Sequence, residues 1–168
     1  MKTWIKGFAV ATSLISLLSV GSTAVAKPVA TDEQKKECES KLAELNKGPK
    51  ADLTLSITGQ RNHKGHILIS IFGEACGGFP DVTELAVAKL RLTHEQAAHF
   101  VVELPPGRYA FAILHDANDD EEMNTFAGMP KEGYAFSVDQ MMPPSFEKAA
   151  FTVPVAGLKK EVKIRYLL

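Results

Sequence analysis

From Ala51 onward, successive short segments carry apolar residues at every second position, and that period of two decides what the chain can fold into. Leu53, Leu55 and Ile57 alternate with Asp52, Thr54, Ser56 and Thr58. Successive side chains of an extended strand point to opposite faces, so this pattern is a strand with one apolar side. Ile67, Ile69 and Ile71 alternate with Leu68, Ser70 and Phe72, apolar in part on both sides, as in a strand covered on both faces. Tyr109, Phe111 and Ile113 oppose Ala110, Ala112 and Leu114, and Ala98, Phe100 and Val102 alternate ahead of them. Leu158, Val162, Ile164, Tyr166 and Leu168 oppose Lys159, Glu161, Lys163 and Arg165, which predicts a half-buried antiparallel strand at the end of the domain. With short strands at Tyr134–Val138 and Phe151–Val153, the count reaches six to eight, separated by Gly and Pro turns. Such a series is the pattern of an antiparallel sandwich. Residues 82–93 stay open between helical turns and a strand starting at Leu90.

Ahead of position 51 the pattern is different. Lys2 and Lys6 precede an uncharged, mostly apolar run, and Ala24-Val25-Ala26 has the small-residue spacing of a cleavage site. The run is broken by Thr12, Ser13, Ser16 and Ser19 and is short for a membrane span of about 20 residues. We therefore expect a secretory leader over 1–26, cleaved after Ala26, and a periplasmic or secreted product. Loss of Lys2 and Lys6 takes the formal net charge from −1 to −3, which offers no global attraction to nucleic acid or anionic lipid. A tether and helix fill 27–50, and the sandwich fills 51–168. Thr31 with Gln34 forms a capping box, Asp32 and Glu33 occupy the first turn, and Gly48-Pro49 stops a helix running from Thr31 to Lys47. Its apolar stripe of Cys38, Leu42 and Leu45 is narrow.

Cys38 and Cys76 are the two cysteines of the chain. In an oxidising compartment one bridge is the simplest outcome, worth about 4 kcal/mol by chain-entropy arithmetic. Two separate thiols are the alternative.

Four motifs carry a resemblance. They are Leu104-Pro105-Pro106-Gly107-Arg108-Tyr109-Ala110, then His115-Asp116, then Gly128-Met129-Pro130-Lys131-Glu132-Gly133-Tyr134-Ala135-Phe136-Ser137, then Pro143-Pro144-Ser145-Phe146-Glu147-Lys148-Ala149-Ala150-Phe151. In this order, across Asp52 to Leu168, the chain resembles the exported bacterial proteins of domain-of-unknown-function family 2141, DUF2141. The resemblance implies a small β-sandwich of transthyretin-like or carboxypeptidase-regulatory-like type and no established activity, so the fold expected for the whole chain is a Greek-key sandwich of about seven strands preceded by one N-terminal helix. Family members continue after His-Asp with an Asn- and Gly-rich run of calcium-loop type. Here the run is Ala117-Asn118-Asp119-Asp120-Glu121-Glu122-Met123-Asn124, without the glycine. The helix with Cys38 lies outside the shared region. Pro106, Gly107 and Tyr109 read as a structural corner, in which a tyrosine at a strand start bonds back to upstream backbone.

The candidate chemistry gathers after that strand. Asp116, Asn118 and Asp120 have the 1, 3, 5 spacing of calcium ligands, with Glu122 and Asn124 at 7 and 9. Position 6 is Glu121 where a glycine is wanted, and position 12 is Ala127 where a bidentate acid is wanted, so Glu132 or Asp139 would have to complete the set. Without a cation, the acids from Asp119 to Glu122 should repel and hold the loop open. His115 beside Asp116 could be a general base or a metal ligand, or a structural histidine bonded to loop backbone. Ser145 has no nucleophile-elbow context, His63, His66, His94 and His99 form no cluster with metal-site spacing, and no phosphate or dinucleotide glycine pattern occurs. Lys159, Lys160, Lys163 and Arg165 lack the interleaved aromatics of a nucleic-acid surface. Phe79, Phe126, Tyr134, Phe136 and Phe146 could line a binding rim or roof the sandwich end.

The expectation is a non-catalytic exported module. It would contact a small molecule, a glycan or an envelope protein through His115, Asp116, Asn118, Asp120, Glu132 and Tyr134, with no cofactor unless calcium. A hydrolase centred on His115 and Asp116 is the alternative.

Overall fold

The structure is a computed structural model that describes residues 28–168, so the expected leader and its cleavage site lie outside the described residues. Two sheets enclose one apolar core. The first has three strands in the order β10-β1-β4, where β1 is Ala51–Thr58, β4 is Phe100–Leu104 and β10 is Leu158–Lys163. The second runs β3-β2-β5-β8, from Ala88–Leu92, His66–Gly73, Gly107–Asp116 and Gly133–Phe136, with β9 (Phe151–Val153) also paired to β5. A two-stranded ribbon, β6 (Thr125–Phe126) and β7 (Met129–Pro130), projects from the loop after β5. Leu53, Leu55 and Ile57 of the first sheet meet Ile67, Ile69, Ile71, Phe111 and Ile113 of the second in the same core. The alternation thus places each sheet's apolar face on the other, which is where burial yields its largest return.

Strand β5 is the spine. It pairs with β2 from Tyr109 to Asp116 and, along its other side, with β9 near its start and β8 near its end. At its start the Tyr109 hydroxyl, buried, donates to the Pro105 carbonyl oxygen at 2.7 Å, tying strand to turn. Tyr109→Phe leaves that carbonyl without its donor and is expected to cost about 1–2 kcal/mol in urea unfolding with unchanged spectra. A variant as stable as the parent would remove the bond from the account of this corner.

The pairing of the last strand differs from expectation. β10 runs parallel to β1, Leu53 opposite Leu158 through Thr58 opposite Lys163, whereas every other named strand pair is antiparallel. Alternation reports which face is buried and is silent on the neighbour's direction. Beyond β10, Arg165 forms a bridge with Tyr134, so the C-terminal segment passes from the first sheet to the second.

Helix α1 spans Asp32–Leu45 under the Thr31–Gln34 capping box. The Cys38–Cys76 disulfide, with Cα atoms 4.8 Å apart, holds it over a small cluster of Ala30, Leu85, Leu42 and Val82. Leu45 is exposed, so the stripe ends one turn early. Two short helices, α2 (His94–Ala98) and α3 (Phe146–Ala149), precede β4 and β9, and the first takes in Ala98 of the alternating run. Among the described residues, no helix is long and apolar enough to cross a membrane.

Candidate functional site

Strand β5 ends on two buried polar residues, His115 and Asp116, each 0 % exposed. As neighbours on a strand they leave opposite faces. His115 turns to the turn at 59–65: its Nε2 meets the Lys64 carbonyl oxygen at 2.9 Å and its Nδ1 meets the Tyr166 hydroxyl. A carbonyl only accepts, so Nε2 carries the proton and Nδ1 accepts from Tyr166. Tyr166 in turn accepts from the Arg61 amide at 3.0 Å and lies under the Arg61 guanidinium, 4.2 Å from the ring centre. Burial, then the neighbouring His94, hold the His115 pKa below the ordinary histidine value, against the opposing pull of Lys64 O, Glu132 and Asp116. Both ring nitrogens are engaged, which leaves no lone pair directed at solvent.

Asp116 turns into its own loop. Oδ1 accepts from the Asp120 amide at 3.2 Å and Oδ2 from the Glu121 amide at 2.9 Å. Glu132, 7 % exposed, does the same from the far side, accepting from the Ala117 amide at 3.0 Å and the Asn124 amide at 3.1 Å. Two buried carboxylates therefore organise the loop by four backbone N–H groups, as an ion would organise it from within.

The acids on the outside of the loop are paired as well, which corrects the expectation of an open, self-repelling loop. Arg91 on β3 reaches Asp119 at 3.0 Å and Glu121 at 2.8 Å, and His66 reaches Asp119 at 2.5 Å. Both acids sit at φ of 60°, a left-handed conformation in which their side chains share one guanidinium. The bond from His66 and then the nearby Arg91 hold the Asp119 carboxyl below its ordinary range. Asp120 accepts from the amide groups of Asn118 and Asn124, each at 2.8 Å, and from the Glu122 backbone at 2.9 Å. These bonds, Asn124 first, lower its pKa too.

The expected calcium donors thus lie in one loop, but the oxygens of Asp116, Asp120 and Glu132 already receive N–H donors, and Asp139 is bonded to Arg165 at 2.7 and 2.6 Å. Among the described residues, no group of three or more His, Cys, Asp and Glu is placed to hold a metal ion. This donor chemistry does not fit calcium, whose sites gather six to eight free oxygens. Calcium at 1 mM is expected to leave the melting temperature unchanged. A rise of several degrees, as a native-state ligand must produce, would reassign the loop.

Tyr134 is buried and its hydroxyl donates to the Met141 carbonyl at 2.6 Å. Phe79 meets Phe72, Phe136 and Phe146 edge to face, at centroid separations of 5.5 to 6.3 Å, so these rings roof the core. Phe126 stands apart. It is 66 % exposed on the ribbon, opposite the exposed Met129. The structure also brings together histidines that sequence separation had kept apart. His63 stacks on His94 with centroids 5.1 Å apart, and His94 meets His115 edge-on at 5.0 Å.

The DUF2141 family profile matches residues 55–162. The chain belongs to the DUF2141 family. Its description is "Uncharacterized protein conserved in bacteria". The DUF2141 match runs from within β1 to within β10 and includes Cys76, while α1 and Cys38 lie outside it. It therefore contains β5, the acidic loop and Glu132, whereas Tyr166 follows its end. A search of curated proteins returns no match. Among solved structures, a Bacteroides thetaiotaomicron protein described as "putative polysaccharide binding proteins (DUF1812)" aligns with a TM-score of 0.40 and 9% identity, over 68% of this chain and 46% of that one.

Proposed function

We propose that this chain is an exported, non-catalytic binding module. Its two sheets form a Greek-key sandwich of transthyretin type, and its contact surface is the outer face of the acidic loop with the β6–β7 ribbon. One observation carries the reading. His115, Asp116 and Glu132, the buried polar groups that could act on a substrate, are all engaged in holding backbone and Tyr166. General-base catalysis needs an available lone pair within reach of a substrate proton. The arrangement instead supports a rigid platform that presents Asn118, Asp120, Phe126 and Met129 outward, all of them exposed. Binding residues on loops held by a rigid scaffold are the common arrangement for recognition. The partner class is a small molecule, a glycan or an envelope protein. Export draws support from the leader pattern and from the disulfide, which persists in oxidising compartments.

The test uses the chain after leader removal. Purified from the periplasm or medium, it is expected to begin at Lys27. Applied to arrays of soluble glycans and of peptides, it is expected to retain ligands that F126A/M129A releases with at least a tenfold loss of affinity at unchanged melting temperature. Chromogenic esters, glycosides and phosphates are expected to remain intact. Turnover of any of them that disappears in His115→Gln would replace this reading with a hydrolase.

A further inference from the structure

Three imidazoles from three segments meet where the 59–65 turn closes over the core. His94, at the start of α2, and His115, near the end of β5, direct their Nε2 atoms to one acceptor, the Lys64 carbonyl oxygen, at 3.1 and 2.9 Å. Both Nε2 atoms must carry protons, so Nδ1 is the bare nitrogen of each neutral ring. In His115 that atom accepts from Tyr166. In His94 it is buried and has no hydrogen-bond partner among the described residues. A second proton on His94 therefore lands on a nitrogen that has no acceptor in the closed turn. It also sets a cation against His115 and against the stacked ring of His63.

The other charged groups around the stack do not cancel this. Asp116 on β5 and Glu132 beyond the loop have their oxygens on amides. Arg61 of the turn adds a cation over Tyr166 from the C-terminal segment. Glu95 of α2 lines the neighbouring cleft of about 410 Å³, together with Thr58, Gln60, His63 and His94. That cleft borders the turn and leaves it space to lift.

We propose that the His63–His94 stack is an acid-release catch: with both rings neutral the 59–65 turn is closed, and acid, by placing a second proton on the bare Nδ1 of His94, lifts it. The turn is coupled to the acidic loop. Gly65, at φ +65°, packs so closely that a Cβ there would lie 1.8 Å from the Asp116 carbonyl oxygen. His66, its neighbour, is registered opposite Asp116. Lifting the turn also removes the Lys64 acceptor that orients His115, which is itself kept neutral by burial. His66 acts in the opposite sense, since its charged form strengthens the pairing with Asp119.

The consequence for a bound partner, weaker retention in acid, rests on the contact surface proposed above, whereas the catch itself is read without any ligand. Hydrogen exchange on residues 27–168, corrected for intrinsic rates, is expected to show about a tenfold loss of protection for Gln60–His66 between pH 7.5 and 5.5, with little change in Ile67–Phe72. H63F/H94F, which keeps two rings in place, is expected to abolish the pH response, and His66→Gln to retain it. Equal protection at both pH values, or a response that survives in a folded H63F/H94F, would each overturn the catch. The parent-chain measurements decide the matter if that variant does not fold. Exchange that responds to acid while F126A-sensitive retention on the arrays does not would sever the catch from the contact surface. Retention that is absent at every pH would refute the contact surface alone.

Discussion

Replacing Cys38 and Cys76 together by serine is expected to lower the melting temperature by about 12 °C and to release α1 from the body of the protein. The bridge closes a loop across a sequence separation of 38. Chain-entropy arithmetic for that span gives about 4 kcal/mol, and a domain of this size converts each kcal/mol to about 3 °C. The helix has little else to hold it. Cys38 is its one buried residue, Leu42 is half-buried, Leu45 is exposed, and Lys41 contributes a solvent-exposed bond to the Ala75 carbonyl at 3.1 Å. An isolated helix of 14 residues is marginal in water even with a good cap. The main core does not include the cluster under the helix, so the sheets should survive the loss. The expected signature is therefore a double one: circular dichroism loses helical signal at 25 °C, while the strand signal persists to a lower melting point. Reduction of the parent chain should reproduce both changes. A serine variant that keeps its helix and melts within about 3 °C of the parent would show that the small apolar cluster is sufficient by itself.

What the sequence disclosed and withheld follows from the range of each signal. The Thr31–Gln34 box and the alternation in β1, β2 and β5 act within a few residues, and all are visible in the chain. The same box recurs at Thr93 and Gln96, where both of its reciprocal bonds form and start α2. In the sequence it is masked, because Ala98, Phe100 and Val102 carry a period-two pattern across the helix end. The parallel pairing of β10 with β1 depends on a crossover that no local pattern encodes. The acidic run shows its charge in the sequence but not its partners. Arg91, on another strand, neutralises Asp119 and Glu121, and the histidine stack joins residues 63, 94 and 115. In each case the missing information is tertiary: a carboxylate's neighbour decides whether it repels, binds a cation or holds a loop, and that neighbour is distant in sequence.

Asp116 gives this distinction its largest measurable consequence. Asp116→Ala removes both acceptors for the amides of Asp120 and Glu121, in a loop that already holds Asp119 and Glu121 in left-handed conformations. Hydrogen bonds to a charged group contribute about 1.5–3 kcal/mol each, so the expected loss is about 3–6 kcal/mol in urea unfolding. Asp116→Asn preserves the shape but keeps one acceptor, setting its NH₂ group against a backbone N–H, and should fall between the parent and alanine variants. Amide exchange should localise the damage, with protection lost from Asp119 through Glu122 before β2 or β8 responds. Glu132→Ala should produce the matching loss at Ala117 and Asn124, the two amides that Glu132 holds. If Asp116→Ala melts within about 2 °C of the parent while a ligand response disappears, the carboxylate faces a substrate rather than its own backbone. The platform reading of the loop would then give way to a catalytic one.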